Sequence, residues 1–301
     1  MPSAFAWNQW LPAPTGAPLA TVKQVIQSVQ AGTTLSTLSS SDLTTVIQNH
    51  YWALGGSTLG NCALLRPAPV STFAGDQICG QLGDTSSNRL VVLVGDSHAY
   101  VATGALDAIG RAEHLRLEVI ASDACQFASV WSGDTCQKHI AFEIAKINSL
   151  KPFAVVVSDF GMAQPYSNVT FQQYQAGQEK SYHAIEAPGR LVIQLGNVRT
   201  PSLTNPLLAN VSGCLTRFPT SFQRCSLSVA SQQAGLNQLQ GAWAKAAGVK
   251  YVPLWALFCT ATTCPPVIDN TLVYINDHVN GAYWRLLVPA LAAKLAAAGL
   301  H

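Results

Sequence analysis

Apolar residues fall along this chain in short unbroken runs, separated by longer stretches where they recur at helical spacing. The runs Leu90–Val94, Leu117–Ile120, Ala154–Val157, Leu191–Leu195 and Lys250–Val252 predict strands. Val91 to Val94 carries no polar residue, as a strand buried on both faces requires. Between the runs, Tyr100–Glu113, Lys138–Leu150, Phe171–Glu186 and Ala230–Ala246 predict helices, and a last helix covers about Ala282–Ala298. Strands alternating with helices predict an α/β domain of three layers, with a parallel sheet and right-handed crossovers. Such sheets bind ligands at the carboxyl ends of their strands. Ser97, Ser122, Asp159 and Asn197 each follow a predicted strand and are expected on one rim.

Residues 1–60 read differently. Pro2, Pro12, Pro14 and Pro18 interrupt the start; Val22, Val25, Ile26 and Val29 then repeat at helical spacing, followed by a Thr/Ser-rich stretch from Thr33 to Thr45. This pattern predicts an N-terminal arm with one or two helices, packed on a main domain that spans residues 61–301.

The junction Val94-Gly95-Asp96-Ser97-His98-Ala99 is the chemical focus. A Ser where a strand turns into a helix faces free backbone N–H groups and the positive end of the helix dipole, which favour an oxyanion. The same position suits a Ser that only caps the helix. The local pattern leaves both roles open. A nucleophilic Ser also needs a base. His50 lies in the arm, His114 ends a helix, His139 and His183 sit on helices, and His301 is terminal, which suits solvated or capping residues. His98 directly follows the Ser and is expected to point away from it. His278 lies in the polar turn Asn276-Asp277-His278-Val279-Asn280-Gly281 before the last helix, where the loop can return to the rim that holds Ser97.

With 49% hydrophobic and 11% charged residues, the 301-residue chain can bury a sizeable core. Its net charge of +2, without a Lys/Arg cluster, gives no electrostatic footprint for nucleic acid. No run approaches the roughly 18–20 apolar residues of a membrane span, and the start lacks a basic-then-apolar leader. The chain therefore reads as a soluble body. Its eight cysteines lack the paired spacing of a zinc site, and neither a metal nor another cofactor is expected. They suggest disulfides and an oxidising, extracytoplasmic compartment. Nearest-neighbour pairing, Cys62–Cys79, Cys125–Cys136, Cys214–Cys225 and Cys259–Cys264, is the simplest connectivity, although sequence alone does not fix it. An extracytoplasmic chain without a leader is expected to be a piece of a longer protein.

The Gly95-Asp96-Ser97-His98 block, paired with a late His278, resembles the SGNH hydrolase superfamily. More narrowly, it resembles the SGNH domain at the C-terminus of acyltransferase-3 membrane proteins of the O-antigen acetylase type. Gly196-Asn197-Val198-Arg199-Thr200-Pro201 followed by Cys214-Leu215, and Cys259 to Cys264-Pro265-Pro266-Val267-Ile268 leading into His278, agree with it. The arm resembles the linker from the last membrane helix, as in actinobacterial members. The resemblance implies a flavodoxin-like three-layer fold with disulfide-stapled loops, tethered to the membrane in the full-length protein. It also implies O-acyl transfer, foremost O-acetyl, to a cell-envelope glycan or glycolipid. A fused membrane domain would supply the acyl group, Ser97 would carry it, His278 would act as general base, and the N–H groups of Ser97 and Ala124 would hold the oxyanion.

The chain departs from that family pattern at several positions. Where the family carries an Asp three residues before its His, this chain has Ile275, and Asp277 adjoins His278 instead. Asp277 is thus a candidate for orienting the base, though adjacent side chains in a turn rarely meet. The family's second block supplies a Gly N–H, for which Ala124 is the nearest match. Its third block supplies an Asn, but here Ser158-Asp159-Phe160-Gly161 follows the strand, and an anionic Asp159 would repel an oxyanion. These departures keep two alternatives open: an extracytoplasmic carbohydrate acetylesterase, and a non-catalytic glycan-positioning module.

Overall fold

Successive residues of a strand face opposite sides, and the run Leu90–Val94 is apolar at every position, so both sheet faces need cover. The computed structural model describes residues 19–48, 62–64, 77–121, 125–130, 134–159, 169–198, 210–229, 231–275 and 278–301. The strands β1 (Cys62–Leu64), β2 (Gln77–Gly83), β3 (Leu90–Gly95), β4 (Arg116–Ala121), β5 (Ala154–Ser158), β6 (Leu191–Leu195), β7 (Leu227–Ser228) and β8 (Lys250–Val252) follow in order. All but β7 join a seven-stranded sheet ordered β1-β2-β4-β3-β5-β6-β8. From β4 to β8 the pairing is parallel, whereas β1 and β2 form an antiparallel edge. β3 lies between β4 and β5, which places its carboxyl end at the middle of the rim.

The helices are α1 (Val22–Thr34), α2 (Ser40–Gln48), α3 (Ser97–Ala112), α4 (Asp134–Leu150), α5 (Phe171–Ala184), α6 (Val211–Arg217), α7 (Ser231–Ala246), α8 (Gly281–Leu286) and α9 (Val288–Ala297). Val91, Leu93, Val119 and Val156 pack in one core with Leu106 of α3, Leu291 of α9 and Val25 of α1. Leu90, Val92, Val94, Val155 and Val157 pack in the other with Ile147 of α4, Tyr182 of α5 and Ala244 of α7. The expected three-layer architecture is therefore present, and the alternation within β3 assigns each residue to its layer.

Several boundaries differ from the sequence expectation, α4 for example starting at Asp134 rather than Lys138, and two have a clear physical cause. α3 starts at Ser97 rather than Tyr100, because Asp96 and not Ser97 caps it. The single last helix is split at Leu287 into α8 and α9. Pro289 enters the first turn of α9; it has no N–H, and its ring excludes the carbonyl four residues earlier, so a continuous helix would be broken there.

Between β8 and α8 the chain forms short strands: β9 (Thr263–Cys264), β10 (Val267–Ile268), β11 (Thr271–Leu272), β12 (Tyr274–Ile275) and β13 (His278–Val279). β10 pairs with β11, β12 with β13, and β9 with β7, all antiparallel. The described part of the arm lies against this segment. Gly32 of α1 sits so close that a Cβ there would lie 2.7 Å from the Val267 carbonyl oxygen. Leu19 N–H donates to the Leu286 carbonyl, and Phe222 N–H to that of Ser36. Ile26, expected in the apolar stripe, is 44% exposed, while Val25 and Val29 are buried.

Disulfides join Cys125 to Cys136, Cys214 to Cys225 and Cys259 to Cys264, as nearest-neighbour pairing anticipates. Cys62 and Cys79 stand opposite each other in the β1–β2 register; the expected bond between them lies outside the described side chains.

Candidate active site

The end of β3 is shaped by Gly95. Its φ of +143° is open to glycine, and a Cβ would lie 2.1 Å from the Ser158 carbonyl oxygen and 2.8 Å from Asp159 Oδ1. The adjacent strand end can therefore close on the turn. Asp96 follows as N-cap of α3, its Oδ1 accepting the His98 N–H at 2.8 Å. Capping is thus assigned to Asp96. Ser97 occupies the first helical turn, and its Oγ lies 2.7 Å from His278 Nε2. The hydroxyl meets an imidazole nitrogen at hydrogen-bond distance, at the positive end of a 16-residue helix.

The β12–β13 hairpin carries His278. Its register sets Ile275 directly opposite His278, so both side chains emerge on one face of the hairpin. Asn280 secures the exit: it is fully buried, its N–H donates to the Val273 carbonyl, its Nδ2 to that of Leu272, and its Oδ1 accepts the Ala282 N–H to cap α8. The expectation for His98 is corrected. It does not point away but is buried and stacks on the His278 ring, with centroids 4.9 Å apart and planes inclined by 25°. A residue at the start of a helix can lean its side chain toward a neighbour of the preceding residue, which adjacency in sequence does not reveal.

Asp159, beyond β5, is buried beneath the rim. Its Oδ1 accepts the Phe127 N–H at 3.1 Å, its Oδ2 lies 3.5 Å from Gln178 Nε2, and the Asp96 N–H also donates to it. Burial pushes its carboxyl up to about 7, against the opposing effect of these donors. Gln178 in turn donates to the Tyr174 hydroxyl at 3.0 Å. The Asn197 N–H donates to Gln240 Oε1 at 3.1 Å, which fixes the end of β6 to α7.

Three expected rim or site residues, Ser122, Ala124 and Asp277, lie outside the described residues, so the structure brings together Ser97 and His278 but says nothing of these. Of the other histidines, His114 and His183 pair on the surface with Asp84 and Glu186. His139 departs from the solvated reading, being buried against Glu143 at 3.0 Å on α4.

A family model for the SGNH domain fused to AT3 domains matches residues 61–293. The chain belongs to this family. Among solved structures, its SGNH domain is similar to the periplasmic domain of the lipopolysaccharide acetyltransferase of Salmonella ser. Paratyphi A. That match has 14% identity and a TM-score of 0.60, and covers 86% of this chain and 98% of that one. A GDSL-like lipase from Bacteroides thetaiotaomicron VPI-5482 matches at 13% identity and TM-score 0.42, over 69% of this chain and 89% of that one. No curated protein matches the chain. Sequence reasoning missed Asn280 of the SGNH domain and the inward contacts of Asp159. The signal for Asn280 was present, as an Asn-Gly pair directly before a helical run marks an N-cap.

Proposed function

We propose that this SGNH domain transfers an O-acyl group, foremost O-acetyl, to a cell-envelope glycan or glycolipid through an acyl-enzyme on Ser97. The contact between Ser97 Oγ and His278 Nε2 carries this reading. His278 Nε2 takes the hydroxyl proton as Oγ attacks the acyl carbonyl, and the N–H of Ser97 at the start of α3 faces the oxyanion that forms. Ala124 N–H is the second donor proposed from the family pattern. The leaving group departs with the proton from His278. His278 then removes a proton from the sugar hydroxyl, which attacks the acyl-Ser97 carbonyl and restores the free hydroxyl. The glycan-positioning alternative requires no base on Ser97, so the contact favours chemistry over binding alone.

The partner in this reading is a fused acyltransferase-3 membrane domain that delivers the acyl group, in keeping with the family description. The setting is extracytoplasmic, which the three disulfides and the periplasmic location of the Salmonella domain support. No helix among the described residues is long and apolar enough to cross a membrane. Residues 1–60 act as the arm between the two domains, and 61–301 as the catalytic body. Transfer separates from hydrolysis in one assay: the protein, p-nitrophenyl acetate and an envelope oligosaccharide, with acetylated sugar and free acetate both measured by mass spectrometry. An acceptor-dependent acetylated product is expected. Acetate release that is the same with and without acceptor, with no acetylated sugar, assigns the domain to the esterases.

A further inference from the structure

Asp159 is a carboxyl that directly follows a fully buried strand and accepts the N–H of Asp96, the residue before Ser97. Its oxygens face inward, toward the backbone of two rim segments. One is the turn at Asp96, the residue before Ser97. The other is the loop after β4, reached at Phe127, where the Cys125–Cys136 disulfide also begins. That loop is further held to α5, since Ser129 N–H donates to the Gly177 carbonyl at 2.8 Å and the Ser129 and Ser181 hydroxyls lie 2.8 Å apart. Gly95 lets the turn approach Asp159 Oδ1, as any Cβ there would obstruct it.

We propose that Asp159 is a positioning residue: by accepting the Asp96 and Phe127 N–H groups on one carboxylate, it fixes the turn that holds Ser97 against the loop at Phe127, from which the family pattern draws its second oxyanion donor. This rests on the serine acyl-enzyme reading above. Backbone N–H groups hold an oxyanion only when their spacing to the nucleophile is right, and a displacement of about 1 Å costs on the order of a hundredfold in rate. A carboxylate suits the task better than the amide found at this block in the family. It offers acceptors on both oxygens, while an amide would turn an NH2 group toward one of the donors.

The titratable groups facing Asp159 are Asp96 from the β3–α3 turn and Tyr174 and Tyr182 from α5. Both tyrosines are held well above their ordinary values, by burial first and by the Asp159 charge second, so they stay neutral. Protonating Asp159 removes an acceptor and loosens the tie. The acid side of the activity profile should therefore contain an ionisation near pH 7 that belongs to Asp159.

The test uses turnover of p-nitrophenyl acetate by the whole chain, with kcat and KM measured from pH 5 to 9 for wild type, Asp159→Asn and Ser97→Ala. Asp159→Asn is expected to lower kcat about tenfold to a hundredfold with little change in KM, and to lose the ionisation near pH 7. A role limited to stability would leave the profile unchanged and lower kcat only in proportion to the folded fraction, which overturns the proposal. So does wild-type kcat in Asp159→Asn. The wild-type profile serves even if the variant does not fold, since an acid limb without an ionisation near pH 7 also overturns it. Ser97→Ala separates the two claims: its continued turnover removes the serine reading and the positioning role together. An inactive Ser97→Ala beside an unaffected Asp159→Asn removes the positioning role alone.

Discussion

At the scale of the residue, the base is the point on which the chemistry of this SGNH domain turns. In the proposed reaction His278 holds a proton as imidazolium while the acyl group is attacked, and a carboxylate beside the ring lowers the cost of that charge. The family places an Asp where this chain has Ile275. Because the hairpin sets residue 275 opposite His278 on the same face, Ile275→Asp should bring a carboxylate to the base. Esterase turnover on p-nitrophenyl acetate is expected to rise about tenfold, less than the roughly 10²–10⁴-fold that a complete acid–base group contributes. Unchanged turnover in a folded Ile275→Asp variant, together with a large loss in Asp277→Asn, would assign the orienting role to Asp277. The sequence suggested a Ser at a helix start but left its role open. Asp96 resolves it, because a second polar residue one position earlier takes over the capping and leaves the Ser97 hydroxyl to His278.

At the scale of the element, the strands and helices of the sheet were legible because their signals are local. The boundaries of β3, β5, β6 and β8 agree with the apolar runs to within a residue. The segment between β8 and α8 was less legible. Strands of two residues hold no periodicity to read, and their pairing is set by long-range contact with the arm and with α3. The surroundings of Asp159 were illegible for a related reason: sequence shows the strand it follows, but not the two backbone segments toward which its side chain turns. The arm is therefore open to a direct test. Gly32→Leu places a side chain against the Val267 backbone, and α1 must shift away from the hairpins that lead to His278. A loss of about 1–3 kcal/mol in urea unfolding is expected, as for other overpacked sites, together with lower turnover. Wild-type stability in this variant would show that α1 is not packed there in solution.

At the scale of the whole molecule, burying Asp159 makes stability depend on pH. In the unfolded chain its carboxyl loses its proton near 4, whereas in the folded protein it keeps it up to about 7. The folded state therefore binds more protons between these values, and its contribution to stability is full below about pH 4 and is lost as pH rises to about 7. Melting temperatures across that window should fall less steeply in Asp159→Asn than in wild type; parallel slopes would contradict the assignment. The layers, the disulfides and the arm serve one arrangement, in which the first turn of α3 and the β12–β13 hairpin present Ser97 to His278. The central claim is that this serine is an activated nucleophile, and covalent labelling reads it directly. The protein is treated with a fluorophosphonate at neutral pH and digested, and the modified peptide is sequenced by mass spectrometry. A single adduct on Ser97 is expected, absent in Ser97→Ala and at least tenfold slower to form in His278→Ala. Adduct formed at the wild-type rate in both variants would contradict the account.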